Sequence, residues 1–533
     1  MTTLYDAFAE AVSDAPQRAL LAQTPSLGGA QFTFAQAAAR VDALAAAYAR
    51  RGWGAGHRIA LAVGNSPLHF FHFLALNRLG TSIVPMNPDH RGGEIRYQLG
   101  HSKAALVVAH QERAAAVREA LAGAQAPLAA LPVVDADRLE LDMPPAPAAV
   151  RGAASPWSAE VAILYTSGTS GLPKGCVLTN EYVLTAGAWY RDLGGMLELR
   201  PGQERVLNPL PAFHMNCGMA TFAAMVLTRN CLILPDRFHA STWWEDCARS
   251  GATAMHYLGV MPPALIKQDH SPHERAHAIR FALGAGCDPT LHPQFEARFG
   301  LPLVEVWGMT ETGRFLANHV EPRLTDTRAF GRARAPVEAI VADEQGRPVP
   351  AGAPGELLVR CAGDDPRRGF FAGYLDDEAA TAKAWRDGWF HTGDIVWMDA
   401  SGMLYFVDRR KDMIRRSGEN ISAGEVEAVL AAHPMVRQVA VMAVPDAMRD
   451  EEVLAVVVPA RDVAASRDTA AALARHCLAE LAYYKAPGWV AFRDELPVTS
   501  TNKLQKHRIF AESEDPRAGA IDCRDLKKRP RAA

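Results

Sequence analysis

Ile163-Leu-Tyr-Thr-Ser-Gly-Thr-Ser-Gly-Leu-Pro-Lys-Gly175 runs an apolar strand directly into a loop of Gly, Ser and Thr that ends in a lysine. Glycines let backbone N–H groups converge on a bound oxygen, the hydroxyls add donors, and Lys174 brings a full positive charge. Those properties suit phosphate. The loop is not a Walker A loop, because Pro173 stands where the glycine before the lysine belongs and Gly175 replaces the required Ser or Thr.

Outward from this loop, helical and short apolar runs alternate. Apolar and Ala positions recur at helical spacing from Phe34 to about Arg51, and a strand-like Ile59–Val63 and a helical Leu68–Leu79 follow. Strand-like Ser82–Val84 and Ala105–Val108 come next, and the pattern continues to about Thr312. The fold class expected is α/β, a large N-terminal domain of two βα lobes whose parallel strands are covered by helices. Residues 124–156, rich in Ala and Pro, read as a loop between the lobes. After about Arg328, pieces such as Glu338–Ala342 and Glu356–Arg360, broken by Gly and Pro, predict a small β-rich lobe. Leu404–Val407 leads into the charged run Asp408–Asp412, which reads as a hinge. Beyond it Ser422-Ala-Gly-Glu425 has the pattern of a capping box opening a helix, and strand-like Val439–Val444 and Val453–Val458 with a helix near Thr469–Leu481 complete a small, mobile α+β C-terminal domain. The expected division is residues 1–408, a hinge at 409–412, and 413–533.

A chain of 533 residues exceeds what one core usually supports, so several domains should meet around a cleft. Apolar content of 49% and charged content of 22% exclude disorder and fibrous repeats. A net charge of −3 supplies no basic field for nucleic acid or anionic lipid, which leaves small molecules as ligands. The N-terminal MTTLYDAFAEAV resembles neither a signal peptide nor a membrane span, and a cytoplasmic protein is expected. Eight cysteines without a C-x-x-C pair read as reduced, mostly buried thiols.

The full wording of the glycine-rich loop resembles the phosphate loop of the adenylate-forming superfamily of acyl-CoA synthetases, adenylation domains and luciferases. Further matches follow in the family's order: Trp307-Gly-Met-Thr-Glu-Thr312, His391-Thr-Gly-Asp394, Asp408-Arg-Arg-Lys-Asp412, Gly418-Glu-Asn-Ile421 and a terminal Lys503. Within the superfamily, Pro211-Ala-Phe-His214, Tyr405-Phe-Val-Asp-Arg-Arg410 and Arg416-Ser-Gly-Glu-Asn-Ile-Ser422 look most like crotonobetaine/carnitine-CoA ligases. The resemblance implies an AMP-forming acid:thiol ligase that takes a carboxylic acid, ATP, Mg²⁺ and coenzyme A, makes an acyl-adenylate and passes the acyl group to the thiol.

It also implies roles. Thr166, Ser167, Gly168, Thr169, Ser170 and Lys174 would hold the β- and γ-phosphates, Glu311 would bind the Mg²⁺ bridging them, and Thr310 would hydrogen-bond to phosphate. Asp394 and Arg409 would hold the ribose, with adenine between Gly284-Ala285-Gly286 and the ring of Trp307, where the family commonly has Tyr. Lys503 would meet the carboxylate and α-phosphate; Asn502 stands where the family has Gly, and Asn tolerates left-handed backbone. Lys411 would be the hinge, and rotation about it would bring Gly418, Glu419 and Asn420 into the site for the thiol step. His214 would gate the carboxylate, and Asn216, Cys217, Met219, His256, Tyr257 and Gly259 would line the acyl pocket. The subgroup likeness points to a small or medium polar acid, trimethylammonium-bearing in the carnitine-like case. A homodimer is compatible with the sequence and not required by it.

His273-Glu-Arg-Ala-His277 matches the H-E-x-x-H zinc pattern but leads at once into strand-like Ile279–Leu283, which leaves a short exposed helix and no third ligand. The competing functions are adenylation followed by loading of a carrier-protein phosphopantetheine, which the absence of an appended carrier domain weakens, and a silent nucleotide-binding sensor. The intact set of Lys174, Glu311, Asp394, Arg409 and Lys503 argues against the sensor. An oxidative luciferase has no positive sign in the sequence.

Overall fold

Helix Phe34–Arg50 begins where Thr33 caps it: the Thr33 hydroxyl accepts from the Gln36 N–H while the Gln36 side chain returns the bond to the Thr33 amide. Strand Arg58–Ala62 follows, and Pro67 then starts the helix Pro67–Arg78, whose Leu, Phe and His side chains are almost all buried. The computed structural model describes residues 2–138, 143–152, 154–166, 172–409, 413–497, 506–511 and 514–528; of Asp408, Arg409 and His507 it describes the backbone.

The described residues form four sheets. In one, Glu160–Thr166, Ser82–Pro85, Arg58–Ala62, Leu106–Ala109 and Val133–Asp135 run parallel, and Lys174–Thr179 and Gly373–Tyr374 close one edge antiparallel. In the second, Leu303–Gly308, Phe281–Ala285, Ala254–Leu258, Arg205–Leu207, Cys231–Leu234 and Ala19–Gln23 are parallel between two antiparallel edge strands. These two sheets are the expected βα lobes. Carboxyl ends of parallel strands open on loops, which is where α/β sheets place ligands.

The small β-rich lobe is an antiparallel sheet of Ala329–Gly331, Leu404–Arg409, Trp389–Met398, Pro354–Cys361 and Val337–Ala342. The C-terminal domain is built on a fourth sheet, with the long hairpin Val436–Asp446 and Asp450–Pro459 covered by helices Ala423–Ala431 and Arg467–Glu480. Residues 410–412, which include the hinge candidate Lys411, lie outside the described residues.

Three local expectations are corrected. The stretch read as a loop contains the strand Val133–Asp135, which pairs with Leu106–Ala109; three residues are too few to show periodicity. Ser422 does stand at the N-cap of Ala423–Ala431, but no capping bond forms, because Lys485 takes the Glu425 carboxylate at 2.7 Å. The H-E-x-x-H segment forms turns rather than a helix, with Glu274 bonded to His270 and Arg298 and His277 bonded to the Phe299 carbonyl.

The core holds titratable groups as well as apolar ones. His69, His72 and His256 are buried, and burial drives their pKa from 6.5 to about 3, about 4 and about 3. A folded-state pKa below the unfolded one means stability is fully present above pH 6.5 and is lost as pH falls toward 4, by about 1.4 kcal/mol per pH unit for each histidine. Thermal melts should therefore show Tm falling below pH 6.5. His69→Leu, which removes a buried Nε2 with no partner among the described residues, should flatten the slope by one histidine's share. An unchanged slope would remove His69 from this account.

Candidate nucleotide and acyl site

Strand Glu160–Thr166 returns antiparallel as Lys174–Thr179 with Thr166 opposite Lys174, so one hairpin presents both ends of the glycine-rich loop. Ser167, Gly168, Thr169 and Ser170 lie outside the described residues. Gly175 is required by packing: a Cβ there would stand 2.9 Å from Ile163 Cγ2 and 3.3 Å from Leu375. Strand Gly373–Tyr374 lies against this hairpin with Tyr374 opposite Cys176. The Tyr374 ring sits 4.8 Å from Lys174 Nζ, and its hydroxyl donates to Glu311 Oε1 at 2.9 Å. Lys174, Tyr374 and Glu311 thus meet from three parts of the chain. Burial, helped by the Glu311 charge, pushes the Cys176 thiol well above its usual pKa.

Glu311 reaches this point from the turn between strands Leu303–Gly308 and Phe315–Ala317. The Tyr182 hydroxyl donates to the Thr310 carbonyl at 2.6 Å and the Phe371 N–H to the Glu311 carbonyl at 3.0 Å, which fix the turn. One buried carboxylate beside an ammonium fits Mg²⁺, which takes few protein ligands and fills its shell with phosphate oxygens and water.

A second cluster is built around Asp394, which is 2% exposed. The Glu356 carboxylate accepts from the Gly393 N–H at 3.0 Å and meets His391 Nδ1 at 3.2 Å, holding the irregular stretch His391–Asp394 of strand Trp389–Met398. The Trp307 indole N–H donates to Asp394 Oδ2 at 2.7 Å. Trp307 was expected to offer a stacking face; it lines the cavity and also orients the carboxylate. Arg409 lies opposite Asp394 in the strand register, with only its backbone described. Gly284 has no room for a side chain, since a Cβ would lie 2.2 Å from the Tyr257 carbonyl oxygen, and Gly286 adopts φ +85°. The N–H groups of Gly286 and Cys287 donate to the Glu305 carboxylate at 2.9 and 3.1 Å, and the Tyr257 hydroxyl donates to it too. Cys287, His292 and Glu305 bring possible ligand atoms within 4.8 Å of one another. Glu305 is already spent on these donors and His292 on Glu296 at 2.9 Å, so the set supports the glycine edge rather than a metal.

A C-terminal turn closes the site. Hairpin strands Met413–Arg416 and Glu419–Ser422 project Gly418 at φ +86°, where a Cβ would lie 2.3 Å from Leu258 Cδ1. Glu419 Oε2 stands 3.7 Å from His214 Nε2. Burial raises the Glu419 carboxyl, and His214, Lys485 and His90 more than offset it, so its pKa lies below the ordinary value. Asn87 Nδ2 donates to the Tyr484 hydroxyl at 3.0 Å, and Lys485 bridges Glu94 and Glu425 at 2.7 Å each, tying the two domains together. Gly418→Ala strains the backbone and strikes Leu258. It should slow thioester formation from supplied acyl-adenylate about tenfold and leave adenylation within twofold; equal slowing of both would refute a role confined to this pose.

Together these groups line one cavity of about 2000 Å³. Asn216, His256, Tyr257 and Gly259 line it. Cys217 and Met219 do not: both are fully buried in the core, turned inward by the π-helical stretch Met215–Thr221. Lys503 lies outside the described residues. Sequence reasoning missed Tyr182, Tyr190, Asn208, Tyr374 and the Glu94–Lys485–Glu425 set, of which only Glu425 sits in a recognised pattern, and that for a helix cap. The departure of Glu425 from its expected cap could have signalled the last.

The lysine at the end of the glycine-rich stretch, the buried Glu311 and the buried Asp394 face one cavity that a second domain closes over. The chain belongs to the AMP-binding enzyme family, whose main domain matches residues 8–375 and whose C-terminal domain matches residues 425–503. It is 34% identical to sulfoacetate–CoA ligase of Cupriavidus necator over 90% of this chain and 92% of that protein. To crotonobetaine/carnitine–CoA ligase of Salmonella paratyphi A it is 30% identical, over 90% and 93%. Among solved structures, o-succinylbenzoate CoA synthetase of Bacillus subtilis, as a double mutant bound with its product analogue, matches with TM-score 0.80 at 24% identity over 94% of this chain and 98% of that one. The same synthetase in complex with its acyl-adenylate intermediate matches with TM-score 0.64 at 23% identity, over 96% and 98%. Among the described residues no helix is long and apolar enough to cross a membrane.

Proposed function

We propose that this chain is an ATP-dependent carboxylic acid:CoA ligase that forms an acyl-adenylate, expels pyrophosphate, and transfers the acyl group to the CoA thiol with release of AMP. The observation that carries the reading is the convergence of Lys174, Glu311 and Asp394 on one cavity into which the Gly418–Asn420 turn inserts. Joining a carboxylate to a triphosphate brings anions together, so catalysis is positioning and neutralisation. Lys174 and the loop of residues 166–170 hold the β- and γ-phosphates, with Thr310 beside them, and Glu311 would hold Mg²⁺, whose charge would offset that of the phosphates. Asp394, oriented by Trp307, and Arg409 take the ribose, and Gly284–Gly286 border the adenine. Lys503 neutralises the charge that builds between carboxylate and α-phosphate.

The C-terminal domain, residues 413–533, turns about 409–412 between an adenylating pose that brings in Lys503 and a thiol pose that brings in Glu419 and Asn420. The better match to the product-analogue complex than to the adenylate complex supports reading the present arrangement as the thiol pose. His214, facing Glu419, then gates the carboxylate. Eight unpaired, buried cysteines fit a reducing, cytoplasmic compartment.

The test is release of pyrophosphate and AMP with ATP and Mg²⁺ across carnitine-like, short-chain, branched and aromatic acids, with and without CoA. Turnover that needs both acid and CoA is expected. Adenylate formation without thioester would transfer the reading to a carrier-protein acceptor, and no release with any acid would leave a nucleotide sensor.

A further inference from the structure

The inner wall of the cavity is a chain of hydrogen bonds whose direction is set from one end. The Leu210 N–H donates to Asn208 Oδ1 at 3.0 Å, which makes the other end of that amide, Nδ2, a donor. It donates to Asn216 Oδ1 at 2.9 Å, so this oxygen is the acceptor of its own amide. His256 Nδ1 lies 2.9 Å from the same oxygen and must carry the proton, which leaves Nε2 to accept from the Tyr190 hydroxyl at 3.0 Å. His256 is neutral, its pKa driven down to about 3 by burial. Every polar side-chain atom of the Tyr190–His256–Asn216–Asn208 chain is then committed except one. Asn216 Nδ2 bonds to no described residue and is not sealed off, so it is open toward the cavity that Asn216 lines.

The wall's remaining properties narrow what those donors meet. His256 pairs with Leu283, one residue short of Gly284 on the adenine edge, so it lies deeper along the sheet than the nucleotide border. Strand alternation turns the Tyr257 ring away from His256, and Glu305, which also lines the cavity, has its carboxylate engaged by Tyr257, Gly286 and Cys287. No carboxylate belongs to the Tyr190–His256–Asn216–Asn208 chain. A trimethylammonium group offers no acceptor to an N–H pair and would need a carboxylate or an open aromatic face.

Resting on the ligase reading, we infer that the acyl pocket takes a short acid with a hydrogen-bond acceptor at the end remote from its carboxylate, such as a sulfonyl, carboxyl or carbonyl oxygen, read by Asn216 Nδ2. It discriminates against quaternary-ammonium acids.

Four acids of one shape separate the possibilities: sulfoacetate, methylsulfonylacetate, 3,3-dimethylbutyrate and trimethylammonioacetate. They carry an anionic acceptor, a neutral acceptor, an apolar group and a cation on the same tetrahedral end. Both sulfonyl acids should exceed 3,3-dimethylbutyrate at least tenfold in kcat/KM, with the cation weakest. Asn216→Asp keeps Oδ1 for Asn208 and His256 and turns the cavity-facing donor into an acceptor. It should lower the ratio of sulfonyl to dimethyl acid about 100-fold, because a site built to hydrogen-bond its substrate is left with the wrong partner. Should that variant melt early, Asn216→Ser, which retains an oxygen but no amide, replaces it. Preference for the apolar or cationic acid, or an equal fall with all four, would overturn the inference. Titration calorimetry of the same acids reads the pocket without turnover: sulfonyl binding with no pyrophosphate release would defeat the ligase reading and leave this one standing.

Discussion

Replacing Glu311 by Gln is expected to lower acid-dependent pyrophosphate release by about 10³-fold while moving Tm by no more than a few degrees. The side chain is 5% exposed and its backbone is pinned by the Phe371 N–H, so Gln should occupy the same place. The Tyr374 hydroxyl can donate to the amide oxygen as it does to the carboxylate at 2.9 Å. What disappears is one negative charge that shares Tyr374 with Lys174, where a divalent cation would be held in the proposed reaction. A preorganised charge in a site shielded from water is worth far more than the same charge in solvent, which sets the size of the loss. Thioester formation from supplied acyl-adenylate, which needs no triphosphate, should fall less than fivefold. If both half-reactions fell together, or if Tm dropped by ten degrees, Glu311 would be a structural carboxylate and the site would need another centre.

The same position shows what the sequence could reveal. Thr310 and Glu311 were singled out because Trp307–Thr312 resembles a family motif, and the glycine-rich hairpin because its strand and loop lie within one short run. Tyr374 and Tyr182 hold that motif from 63 and 128 residues away, and nothing local marks a residue whose value is a distant contact. Helix Phe34–Arg50 emerged close to its expected bounds because burial of one face repeats along it, and helix Pro67–Arg78 because its long apolar run is bounded by Pro67 and the Gly80 turn. Val133–Asp135 did not, since its place at a sheet edge is a tertiary fact. Cys217 and Met219 were misplaced for a geometric reason: the π-helical turns of Met215–Thr221 hold more residues than α-turns, which changes the side chains that face the cavity. Ser422 and Glu425 formed a sound local pattern that lost to Lys485, a stronger partner from another element.

That lysine carries the second large effect. Lys485→Met is expected to reduce thioester formation from supplied acyl-adenylate by 100-fold or more and to leave adenylation within threefold. Its ammonium lies 2.7 Å from both Glu94, on the N-terminal domain's helix Gly92–Ser102, and Glu425, on the C-terminal domain's helix Ala423–Ala431. Burial alone would pull the Lys485 pKa down, but the two carboxylates more than reverse this, so the ammonium stays charged at neutral pH. Removing it leaves two carboxylates facing each other across a buried interface, a cost of about 3–5 kcal/mol. The chain can relieve that cost by separating the domains, which exposes Glu94 to water and withdraws Glu419 from His214. The penalty therefore falls on one pose rather than on the fold, and at about 1.4 kcal/mol per factor of ten it corresponds to a loss of 100-fold or more. Combining Lys485→Met with Glu94→Gln and Glu425→Gln removes the repulsion and should restore most of the thioester rate. Failure of that triple variant to recover, with each domain still folded, would show that Lys485 serves the thiol step directly rather than by holding the domains together.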